Sequence, residues 1–143
     1  DEQVDEFFAR QTRQLRDHGF CLGAMERRAD GQVMGISGLQ PLGGSGQVEV
    51  GWWVEREAWG QGYATEAGAA AVRYGFEEAG LERIVAIALP ENGASRRVME
   101  KLGMQFAGTR TSEALHLRYD GLTLAYYTVD REAYTGLTPA ASP

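Results

Sequence analysis

The stretch Gln47-Val48-Glu49-Val50-Gly51-Trp52-Trp53-Val54-Glu55 alternates with a period of two. Val48, Val50, Trp52 and Val54 fall on one face and Glu49, Gly51 and Trp53 on the other, the pattern of a β-strand. A glycine-bearing turn, Trp59-Gly60-Gln61-Gly62, follows, and residues 65–79 then predict a helix ended by Gly80. Residues 84–89 form an apolar run of buried-strand character. Strand, crossover helix and strand within about 40 residues is the length of a parallel βαβ unit. Ala64, Gly68, Ala71, Gly75 and Ala79 share one side of the helix, so its axis is expected to lie close to the sheet.

Working outward, Val4, Phe7, Phe8 and Leu15 recur at helical spacing among polar residues, and Gly19 stands where a helix ends. Residues 20–27 and 32–40 read as strands joined around Ala29-Asp30-Gly31, an Asp-Gly hairpin signal. Gly43, Gly44, Ser45 and Gly46 predict a mobile connection. After Pro90, residues 95–102 predict a short helix closed by Gly103. Residues 104–109, 115–119 and 122–129 read as strands, with Asp120-Gly121 as a second tight hairpin. The expected fold class is α/β (α+β): one domain over residues 1–134, with a mixed, mostly antiparallel twisted sheet, one parallel βαβ crossover and helices on both faces. Residues 135–143 read as a flexible tail.

The 143-residue chain carries 14 Lys+Arg against 20 Asp+Glu, a formal charge of −6, which argues against nucleic acid as its partner. No apolar run reaches the ~18 residues of a membrane span. The single Cys21 cannot form an internal disulfide and lies among Phe20, Leu22 and Met25; it reads as a packed thiol in a reducing compartment, with the cytoplasm as the expected setting. His18 and His116 stand apart from any Cys or carboxylate at ligand spacing, so no metal is expected. The chain holds 19 glycines, well above the usual share of roughly 7%, without a repeat to account for them.

The chemistry concentrates in Trp59-Gly60-Gln61-Gly62-Tyr63-Ala64-Thr65. Alternate glycines leave backbone N–H groups unobstructed, and a helix start adds unpaired donors and a positive dipole end, which suits phosphate. A plain tight turn would use glycines in the same way. No Lys-Ser/Thr follows, as a Walker A loop requires, and the full G-x-G-x-x-G is absent.

Together, residues 48–54 and 59–67 resemble the acetyl-CoA motif of the GCN5-related N-acetyltransferase (GNAT) superfamily, in the form typical of its RimJ/RimL-type branch. Trp59 stands where the superfamily usually carries Gln or Arg. Pro90-Glu91-Asn92-Gly93-Ala94-Ser95 running on to Lys101-Leu102-Gly103-Met104 resembles a second signature of that branch. The resemblance covers roughly positions 20 to 134, and the family's first strand and helix are absent or shortened. It implies an acetyl-CoA-dependent transfer of an acetyl group to a primary amine. The expected acceptor is a protein N-terminal α-amine of ribosomal-protein type; a small-molecule amine and a non-catalytic acyl-CoA-binding module are the alternatives, and a plain nucleotide-binding domain a more distant one. A homodimer is left open.

The resemblance further implies that backbone groups of Gly60, Gln61, Gly62, Ala64 and Thr65 hold the CoA pyrophosphate and that Trp53 and Val54 pair with the pantetheine arm. Asn92 would bond that arm or serve as a turn residue, and Arg56 would be a further phosphate contact or a solvated arginine. Two carboxylates compete for the general base. Glu49 lies mid-strand beside the turn, and Glu113 lies where relatives of the branch carry a Glu. Ser95 is either the donor to the departing thiolate or the N-cap of the following helix. Met99 occupies the neighbourhood where many members carry an acidic tyrosine, and Tyr126 and Tyr127 alternate across the last strand. Trp52 and Trp53 are expected on opposite faces, one in the core and one lining the acceptor groove.

Overall fold

The computed structural model describes residues 1–137. Helix α1 (Glu2–His18) is capped by the Asp1 side chain at its start and stopped by Gly19 in the left-handed conformation, φ +83°. Strands β1 (Leu22–Glu26) and β2 (Val33–Pro41) form the expected antiparallel hairpin. Asp30 stabilises its turn, accepting from the Gln32 N–H and pairing with Arg27. Strand β3 (Val48–Val54), helix α2 (Tyr63–Glu77) and strand β4 (Arg83–Ala88) are the predicted crossover unit. Helix α3 (Gly93–Lys101), β5 (Gln105–Thr111), β6 (Thr123–Asp130) and α4 (Arg131–Leu137) complete the described chain. The first residues of the expected tail are thus helical; residues 138–143 of it lie outside the described residues.

The six strands form one sheet in the order β1-β2-β3-β4-β6-β5, with β3 and β4 its parallel pair. On one face, Leu39, Val50, Ile84, Ala86, Tyr127 and Val129 pack against Val72 and Phe76 of α2 and Met99 of α3. The small residues of α2 make that approach possible. A Cβ on Gly75 would sit 2.7 Å from Ile84 Cδ1, and one on Gly68 would sit 2.9 Å from Leu102 Cδ1. On the other face, Val85, Leu124 and Tyr126 are covered by Leu42 and Leu115, with Leu117 beside them.

That covering segment departs from the sequence reading. Residues 115–119 form no strand, and Asp120-Gly121 turns no hairpin; β6 pairs instead with β5, across a long connection. Leu115 and Leu117 alternate because they reach down onto the sheet, not because they belong to it. The connection is pinned at its base: Ser112 N donates to the Leu122 carbonyl at 2.9 Å, and Leu122 N to Ser112 Oγ at 3.1 Å. The glycine loop at 43–46 is likewise a fitted piece and not a free connection. Gly44 N donates to the His116 carbonyl, and a Cβ on Gly43 would lie 2.6 Å from that oxygen. Cys21, expected in the core, is half-buried and free.

Gly43 also has φ +53°, so Gly43→Ala meets both a left-handed backbone and two carbonyls. It should lower stability by about 1–3 kcal/mol, read as a fall in the urea midpoint at unchanged slope.

Candidate functional site

Strands β3 and β4 share one register pair, Glu49 with Val85, and separate beyond it. β3 remains paired with β2 throughout, up to Gly35 opposite Val54, and β4 with β6 up to Ala88 opposite Ala125. The parallel pair opens because each strand is held by its antiparallel neighbour on the outer side. Glu55 N donates to the Met34 carbonyl, and the Trp53 carbonyl lies against Gly35. Main-chain groups of Trp53 and Glu55 therefore turn toward β2. By the alternation of an extended strand, those of Trp52 and Val54 turn toward the opening.

A cavity of about 240 Å³ lies at this opening, lined by Glu49, Gln40, Trp53, Ile87 and Ser95 among others. Glu49 is half-buried. Its carboxyl is pushed up to about 7 by burial, offset in part by a hydrogen bond from Gln40 Nε2 at 3.4 Å. The Tyr119 hydroxyl is raised by burial and then by the charge of Glu49. Trp53 is 65% exposed, whereas Trp52 packs with the core beneath α2; the two tryptophans take opposite faces, as their alternation predicts.

Glu113 is placed differently. It is exposed, outside the cavity lining, and accepts the Gly121 N–H at 2.6 Å. That backbone bond holds its carboxyl below the usual range. Its place is in the clasp of the 112–122 connection. Ser95 lines the cavity, but Asn92 is the N-cap of α3, its Oδ1 accepting the Ser95 N–H at 3.1 Å. The capping position expected for Ser95 thus belongs to Asn92, which leaves the Ser95 hydroxyl without that role. Tyr127 is buried with its hydroxyl accepting from Arg96 Nε at 2.9 Å, and Met99 is buried beside it in the core.

At the same end of the sheet, residues 59–62 lead into α2. Gly60 and Gly62 have φ +75° and +83°, and a Cβ on either would meet nothing within 4 Å. Backbone conformation, not crowding, demands glycine there, and the space beside the turn is open. The first helical bond runs from Glu66 N to the Gly62 carbonyl, and no side chain caps the helix. The N–H groups of Tyr63, Ala64 and Thr65 therefore lack partners within the helix, at its positive dipole end. This is the geometry an anion needs.

The structure brings Glu49, Ser95 and Trp53 to one cavity, and the 59–65 turn lies beyond the end of β3, joined to Val54 through Trp59. Sequence reasoning missed Gln40 and Tyr119. Gln40 becomes legible only once the register sets it opposite Glu49. Among the described residues, no group of three or more His, Cys, Asp or Glu could hold a metal, and no helix is long and apolar enough to cross a membrane.

The parallel pair thus opens beside a cavity that holds an ionisable carboxyl, and the helix that follows β3 starts with N–H groups unpaired within it. The model of the acetyltransferase (GNAT) domain matches residues 1–105, and the chain belongs to this family of N-acetyltransferases. A putative ribosomal N-acetyltransferase, YdaF, of Bacillus subtilis is 30% identical over 108 residues, covering 75% of this chain and 58% of that protein. The uncharacterised protein YkkB of the same organism is 35% identical over 109 residues, covering 75% of this chain and 63% of its own length. The chain thus spans under two thirds of these curated relatives. A GNAT-family acetyltransferase structure from Bacillus anthracis superposes with a TM-score of 0.66 at 31% identity, covering 78% of this chain and 66% of that one.

With its carboxyl proton held up to about 7 when folded and released near 4.5 in the unfolded chain, Glu49 weakens stability as pH rises through that window. Glu49→Gln should therefore raise Tm relative to wild type at pH 8 and leave it nearly unchanged at pH 4.5, measured by thermal unfolding in matched buffers.

Proposed function

We propose that this chain transfers an acetyl group from acetyl-CoA to a primary amine, with a protein N-terminal α-amine as the leading acceptor class. The observation that carries the reading is the placement of the raised Glu49 carboxyl inside the cavity, beside a turn whose free N–H groups suit a pyrophosphate. The acceptor class draws support from the ribosomal description of the Bacillus subtilis relative. Gly60, Gln61, Gly62, Ala64 and Thr65 would hold the pyrophosphate through their N–H groups. The pantetheine arm, rich in amides, would lie along the open edge of β3 as an added strand. On that edge the main-chain groups of Trp52 and the N–H of Val54, whose carbonyl accepts from Trp59 Nε1 at 2.7 Å, are the suitable partners, in place of those of Trp53.

The reaction follows from these positions. A base accepts a proton from the acceptor ammonium, and the neutral nitrogen attacks the thioester carbonyl. The C–N bond forms and the C–S bond breaks; the second proton of the attacking nitrogen passes to the departing sulfur by way of the Ser95 hydroxyl, and CoA leaves as the free thiol. Glu49 is the base, directly or through a water, because a carboxyl poised near 7 accepts a proton at neutral pH and still releases it. Glu113, held low and committed to the Gly121 N–H, suits a structural task. Ser95 is the donor to the sulfur, its hydroxyl lining the same cavity.

Steady-state thiol release over a panel of N-terminal peptides and small amines tests this. kcat/KM should rise with pH to a plateau with a midpoint near 7, the value for Glu49. Glu49→Gln should lose about 10²- to 10⁴-fold in kcat with CoA affinity retained, while Glu113→Gln should keep most of its rate. Gly62→Asp, which places a carboxylate at the turn, should abolish CoA binding. Tight CoA binding without turnover on any acceptor would favour the non-catalytic binding module.

A further inference from the structure

The first residue of the glycine turn is hydrogen-bonded to the sheet through its side chain. Trp59 Nε1 donates to the Val54 carbonyl at 2.7 Å. Val54 is the last residue of β3, and its carbonyl is of the set that faces the cleft. Within residues 55–62, Glu55 N is bonded to the Met34 carbonyl of β2 and Ala58 is buried, whereas the other hydrogen bonds are local: Ala58 N and Trp59 N bond back to the Glu55 and Arg56 carbonyls, and Gln61 Nε2 reaches the Glu57 carbonyl at 3.3 Å. The local bonds shape the short 3-10 turn at Arg56–Ala58 without relating it to β3. Among the described residues, the indole bond is the side-chain hydrogen bond that joins the start of the glycine turn to the end of β3. The ring itself is 61% exposed, so core packing is not what holds the tryptophan there. Above the ring lies the Arg56 guanidinium, 5.4 Å from its centroid, a separation at which a cation is attracted to the indole face. Arg56 is exposed and makes none of the chain's ion pairs among the described residues. Its guanidinium therefore stands beside the turn, flanked in sequence by Glu55 and Glu57 and paired within 4 Å with neither.

We propose that Trp59 is the positioning residue of the phosphate-binding turn, locking Gly60 and Gly62 to the end of β3 through its indole N–H, and that it carries Arg56 as a cation for the phosphates of the cosubstrate. The assignment rests on the reading of this turn as the acetyl-CoA site. It gives Trp59 a role that a Gln or Arg at the same position would not fill in the same way. The indole acts on the ligand through the backbone it holds and through the guanidinium it supports. The ligand chemistry is a phosphate ester or anhydride, either the pyrophosphate or the 3′-phosphate of CoA.

Binding measurements on three ligands separate these parts: CoA and 3′-dephospho-CoA by calorimetry, and pantetheine, which has no phosphate, by ligand-observed NMR. Trp59→Phe keeps an aromatic face for Arg56 and removes the N–H donor. It should weaken CoA by about tenfold, the loss of one well-placed hydrogen bond, with Tm little changed and pantetheine affinity unaltered. Arg56→Gln should weaken CoA by about three- to tenfold, less at high salt, again sparing pantetheine. If 3′-dephospho-CoA shows the same loss in Arg56→Gln, the pyrophosphate is the partner; if it shows none, the 3′-phosphate is. Trp59→Phe binding CoA as tightly as wild type overturns the positioning role, as does an equal loss for CoA and pantetheine. Wild-type protein that fails to bind CoA overturns the underlying reading of the site, a different result from either.

Discussion

One register pair between two parallel strands, Glu49 with Val85, is the constraint on which the rest of this structure depends. β3 is committed to β2 along its length and β4 to β6 along its length. Antiparallel pairing is slightly the stronger per residue, so the parallel seam is where the sheet opens. The opening frees main-chain groups at the end of β3 and makes the cavity. It also leaves Glu49 at the fork, partly removed from water yet beside space that a ligand could fill. A sheet paired fully across this seam would bury the same apolar residues and have no cleft.

The close seating of α2 serves the same end. Gly68 and Gly75 stand where any side chain would displace Leu102 or Ile84. The helix therefore lies close to the sheet along Gly68 and Gly75. Trp59 then joins the glycine turn to the end of β3 by a hydrogen bond. Charge is distributed to match: the half-buried Glu49 resists ionisation, whereas Glu113, solvated and bonded to a backbone N–H, favours it. Two carboxylates that look equivalent along the chain are separated by desolvation and by what each one touches.

Much of the fold was legible in the residues. The period-two alternation of 47–55, the small-residue side of 65–79 and the apolar run of 84–89 are local signals, and each became the element expected. The glycines at 60 and 62 were legible as a tight turn, and their positive φ values need no distant partner to explain them. The last third of the chain was less legible. Leu115, Leu117 and Tyr119 alternate as a strand does, and Asp120-Gly121 imitates a hairpin. A segment laid across a sheet face buries alternate residues for the same reason that a strand does. What separates the two cases is the clasp of Ser112 with Leu122 and of Glu113 with Gly121, which joins residues eight to ten apart. The four-residue glycine loop misled for a related reason, since its glycines answer to the carbonyls of Leu115 and His116, some seventy residues away.

The sequence by itself determined the crossover unit, the glycine turn and the family, because these rest on backbone preferences and on spacings within about 40 residues. Only the tertiary structure showed that Glu49 is half-buried in a cavity while Glu113 is exposed, that Asn92 and not Ser95 caps α3, and which main-chain groups of β3 face β2. Those choices depend on burial, register and strand parity. They are properties of chains brought together, and a linear order of residues does not carry them.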